Sequence, residues 1–167
     1  MKQNEAGWVE YVHGVQLTKV CSSVVLHRIA EGIANAAMRM LAHKKSLRTT
    51  AFVFAESVCE MLYLRFQSSE EQLEAYRKLG LYCNGVEAHS TIIVQDTYIH
   101  LDTAIKRYGK TDALMTLVVS KRTRDYVLVQ PYYRHMVSHK EGKEVLFFMH
   151  RVNEGPKLAQ AMGDWWA

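Results

Sequence analysis

The sequence predicts an α+β fold with a mixed or antiparallel sheet, and three observations carry that prediction. Apolar residues recur at helical spacing near the N-terminus, three β-branched and aromatic runs follow one another near the C-terminus, and no regular alternation of strand and helix joins them. The chain has 167 residues, 49% hydrophobic and 23% charged, with only two prolines, so a single globular domain spanning 1–167 is expected to bury one sizeable core.

The elements follow in order. Trp8 to His13 is a short strand candidate. From Leu17 to about His43, the residues Leu26, Ile29, Ile33, Ala37 and Met40 mark one face of a long N-terminal helix. Its middle is small-sided, with Ala30, Gly32, Ala34 and Ala36, and Gly32 costs ~1 kcal/mol relative to Ala, so close packing is the expected compensation. Thr49 to Phe54 reads as a strand, while the run Val58 to Phe66 fits strand or helix. Ser68 and Ser69, followed three residues later by Glu71 and Gln72, give a doubled capping-box signal for a helix ending at Gly80.

Asn84-Gly85 is a hairpin-turn dipeptide, which places a strand at about His89 to Gln95. Asp96 is then the N-cap expected for a helix carrying Leu101, Ile105 and Tyr108, stopped at Gly109. Ala113 to Lys121, Tyr126 to Arg134 and Glu144 to Val152 form a three-stranded C-terminal meander with turns near Thr123 and Gly142. Pro156 to Ala167 is expected as a short helix anchored by Trp165 and Trp166. With Trp8–His13 and the Val58 run both taken as strands, the first half reads βαββαβ, a ferredoxin-like order.

Composition excludes several classes. The N-terminus lacks a secretory pattern and every apolar stretch is interrupted before ~18 residues, so a cytoplasmic protein without membrane contact is expected. Cys21, Cys59 and Cys83 form no Cys-x-x-Cys pair and read as reduced core thiols. There is no nucleophile elbow and no cofactor signature, so neither a cofactor nor a catalytic metal is expected. Asp96 with His100, and His135 with His139, are incomplete as metal sites.

Two motifs invite an enzymatic reading. Ala104 to Thr111, with Gly109-Lys110-Thr111, loosely matches a phosphate loop, but a helix is expected before it and a strand after, the reverse of the working order. Glu87-x-His89-x-Thr91 looks like one half of a two-histidine phosphoesterase site without a second half; an exposed strand face that happens to carry a histidine explains it better.

A net charge of +4 permits nucleic-acid contact, and its distribution supplies candidates. Arg107 and Lys110 close the expected helix, Lys121, Arg122 and Arg124 occupy a hairpin turn, and Tyr132, Tyr133, Arg134 and His135 follow on the next strand, where either tyrosine is a candidate to stack on a base and Arg134 to contact a phosphate. A non-catalytic protein-binding or assembly role ranks ahead of this. Ala113, Met115 and Leu117 alternate with Leu114 and Val118, and Val145 and Phe147 with Leu146 and Phe148, so the sheet is apolar on both faces. Such a sheet must be covered twice, and the expectation is helices on one face and a second subunit on the other, making a homo-oligomer. A small basic chain of this kind has the look of an accessory protein of a phage or other mobile element.

Overall fold

A computed structural model describes residues 23–44, 46–56, 59–100, 110–138, 140–154 and 166. Among the described residues, two helices and seven strands make an α+β arrangement: α1 (Ser23–Lys44), β1 (Thr50–Phe54), β2 (Cys59–Tyr63), α2 (Ser69–Gly85), β3 (Ser90–His100), β4 (Lys110–Ser120), β5 (Tyr126–Ser138), β6 (Lys143–Phe148) and β7 (Val152–Asn153). The strands form one sheet in the order β2-β1-β3-β4-β5-β6, with β7 also on β5, and every pairing is antiparallel. The C-terminal meander is therefore present, and β3 extends it by one strand. The strand expected at Trp8–His13, which the ferredoxin-like order requires, lies outside the described residues, as does most of the expected C-terminal helix.

Each face of the doubly apolar sheet takes a helix from the same chain. On one face α1 buries Leu26, Ile29, Ile33 and Leu41 against Phe52, Phe54, Ile92, Leu114 and Tyr132. The alanines Ala30, Ala34, Ala36 and Ala37 are all buried, so the small-sided stripe is the surface that packs. On the other face α2 buries Tyr76, Leu79 and Cys83 against Val53, Ile93, Met115 and Val129. Polar ties fix α1 to the sheet: the His27 imidazole meets the Tyr126 hydroxyl at 2.9 Å, and the Arg151 guanidinium donates to Gln130 Oε1 (2.9 Å) and Asn35 Oδ1 (2.7 Å).

Three local expectations are corrected. The helix of Ser69–Gly85 starts as its cap signal predicts, with Ser68 Oγ accepting from the Glu71 N–H (3.1 Å), but it passes through Gly80. Gly80 is buried inside the helix, with Tyr76 and Cys83 on the same side, so it does not terminate it. The helix ends five residues later in a Schellman arrangement: Ala88 N–H donates to the Cys83 carbonyl, Glu87 N–H donates to the Asn84 carbonyl, and Glu87 takes the left-handed conformation at φ 56°. Asn84-Gly85 is thus the last helical turn, and no hairpin forms there. Finally, Asp96 does not cap a helix. It continues β3 opposite Leu114, because Thr97, Tyr98 and Ile99 suit a strand and a partner strand is waiting. Residues 101–109 lie outside the described residues.

Candidate interaction surfaces

The β4–β5 turn is shaped by two side chains. The Ser120 N–H donates to Asp125 Oδ1 (3.1 Å) and the Arg122 N–H donates to Ser120 Oγ (3.0 Å), which folds residues 121–125 outward and leaves Lys121, Arg122 and Arg124 exposed. Lys121 places its ammonium 5.0 Å from the centroid of the Trp166 ring, and the Trp166 indole N–H donates to Asn84 Oδ1 (2.9 Å). One of the three turn cations already has an aromatic partner.

The other expected nucleic-acid contacts do not gather around this turn. Arg134 sits along β5, roughly 30 Å from Arg124 by the rise of a strand, with its Nη1 3.8 Å from the Glu144 carboxylate. Lys110 opens β4 opposite His100, and Arg107 lies outside the described residues. Tyr132 offers no stacking face: it is 1% exposed, its ring packs on Phe148, and its hydroxyl donates to Asp96 Oδ1 at 2.5 Å. The reason is strand parity, since Tyr132 points toward α1 and Tyr133 points away.

Tyr133 belongs to a different surface. It pairs with Phe147 across β5 and β6, the rings stack with centroids 5.2 Å apart and planes 14° apart, and His135 meets the edge of Phe147. Tyr133 is 54% exposed, Phe147 44%, and Val137 55%. Val152 on β7, opposite the buried Val129 of β5, is exposed as well. Among the described residues no strand pairs with the outer edge of β6, the last strand of the sheet. The alternation of apolar residues in β6 was the sequence signal for this strip, although it could not say which face would stay open.

Of the histidine and cysteines singled out by the sequence, His89 and Cys83 are enclosed and Cys59 is half-buried. His89 is buried, with Nδ1 2.9 Å from Ser90 Oγ, which in turn lies 2.9 Å from Ser120 Oγ. Burial, aided by the positive charge of Arg122, lowers its pKa below the ordinary histidine value. Thr91 is buried against the Cys83 thiol and Glu87 is exposed in the preceding turn, so these three residues form neither an exposed strand face nor an open phosphoesterase half-site. Burial, with Glu60 adding to it, pushes the Cys59 thiol up to about 12, and burial raises Cys83 as well, so neither is an activated thiolate. Lys110 and Thr111 stand in β4, where a phosphate loop would need a helix. Among the described residues no group of three or more His, Cys, Asp or Glu could hold a metal ion, and no helix is long and apolar enough to cross a membrane. Comparison with known proteins finds no matching family model, no similar curated protein and no similar solved structure.

Proposed function

We propose that the protein is a non-catalytic binding or assembly protein that acts through protein–protein contacts, and that its first partner is a second copy of itself. One observation carries this reading: the stacked Tyr133–Phe147 pair, with Val137 further along β5, leaves apolar side chains exposed on the two strands at the edge of the sheet. Apolar strips of this kind mark contact sites, and aromatic residues are enriched there. An open strand edge adds unpaired backbone donors and acceptors, and a two-fold axis beside β6 would satisfy both edges with one contact.

Light scattering at high micromolar concentration tests it. The wild type is expected to be a dimer or a higher closed oligomer, and the double substitution Tyr133→Ser with Phe147→Ser is expected to return it to a monomer with unchanged far-UV circular dichroism. A monomeric wild type counts decisively against the reading.

A second reading is favoured by the three exposed cations on one turn. If Lys121, Arg122 and Arg124 contact nucleic-acid phosphates, replacing all three weakens binding equally for every sequence and lowers the salt slope by roughly 2 to 3 units. Absence of salt-sensitive binding by the wild type to DNA or RNA at micromolar concentration removes this reading.

A further inference from the structure

A pocket of about 220 Å³ opens on the α2 face of the sheet, lined by Val53, Ala55, Glu60 and Val86. Three of these residues are apolar. The fourth, Glu60, is half-buried on β2 directly opposite Val53. Its carboxylate makes no hydrogen bond or ion pair among the described residues. A carboxylate in the wall of an otherwise apolar pocket is a counter-charge and hydrogen-bond acceptor for a cation that brings its own N–H donors. The cavity is also smaller than the ~300–1,000 Å³ of sites built for drug-sized molecules, so it suits an occupant the size of one side chain.

We propose that this pocket binds an alkylammonium group, the chemistry of a lysine side chain, with the methylene stem against Val53, Ala55 and Val86 and the ammonium on Glu60. An aliphatic stem with a charged head matches a site that is apolar along its walls and anionic at one point. The site lies at the β1–β2 side of the sheet, across the molecule from the Tyr133–Phe147 strip, so it stands or falls independently of self-association.

The test is a titration of the isotope-labelled full chain followed by amide chemical shifts, with n-butylammonium as the probe and n-butanol as its neutral match. Saturable shifts at Val53, Ala55 and Val86 with a Kd on the order of millimolar are expected for the ammonium, and none for the alcohol. Glu60→Gln should weaken the ammonium at least tenfold while keeping the dispersion of the spectrum, and Val86→Trp, which fills the cavity from its rim, should abolish it. No saturable shift in the wild type, or equal binding by Glu60→Gln, overturns the proposal. A parallel titration with N-acetyl-lysine N-methylamide separates the two sources of this chemistry: binding at least as tight as n-butylammonium points to a lysine of a partner protein, and binding of n-butylammonium alone points to a free amine.

Discussion

At the scale of single residues, the pair Asp96–Tyr132 shows how a polar contact is kept inside the sheet. Burial raises the Asp96 pKa above the ordinary carboxylate value; the Tyr132 hydrogen bond and the charge of Arg134 pull it back, and Asp112 pushes it up again. Burial likewise raises the Tyr132 phenol, with Asp96 adding to it. For a carboxyl raised on folding, the folded protein keeps a proton through a window where the unfolded chain has lost it, so stability falls as pH rises through that window. The cost is fully present above that window. Asp96→Asn keeps an acceptor for the Tyr132 hydroxyl and removes the charge, so it should be at least as stable as the wild type at pH 7, with its advantage shrinking as pH falls below the window. Urea midpoints at pH 7 and in the acid range check this. A clear loss at pH 7 would show that Arg134 needs the charge.

At the scale of elements, the end of α2 makes the sharpest prediction. Glu87 occupies the left-handed position that glycine usually fills, so Glu87→Gly should stabilise the protein by about 0.5–1 kcal/mol, read as a higher urea midpoint at constant slope. Gly85 is helical, and an added Cβ there would meet nothing within 4 Å, so Gly85→Ala should also stabilise, by about 0.5–1 kcal/mol. If Asn84-Gly85 were a hairpin turn, the same substitution would destabilise. These residues also show what sequence could and could not give. The face of α1, the Ser68 cap and the meander were legible because each depends on neighbours a few residues away. Gly80 was misread because the helix runs on through it to the turn at Glu87, and Asp96 because its role comes from a distant partner, Tyr132. The candidate surface was half legible. The sequence showed apolar residues on both sides of β5 and β6, but only the position of α1 decides that Tyr132 is inside and Tyr133 outside.

At the scale of the whole molecule, two cores share one sheet, because alternate residues of the same strands serve α1 and α2. Ile33→Ala empties one core and Leu79→Ala the other, and each should cost about 2–5 kcal/mol. Both variants should still unfold in a single transition, seen at the same denaturant concentration by far-UV and near-UV circular dichroism. Two separated transitions would mean that the faces melt independently. The order of the strands has a further consequence, for the time during which the chain is being made. From β4 to β6 every strand pairs with the one just synthesised, whereas β1 must wait for β2 and the whole of α2 before β3 arrives beside it. As the chain leaves the ribosome from its N-terminus, β2 can shield only one edge of β1. Phe52 and Phe54 can meet α1, which is already made, but the second edge of β1 keeps its backbone donors and acceptors unpaired through that interval, so it is open to a neighbouring nascent chain until β3 emerges.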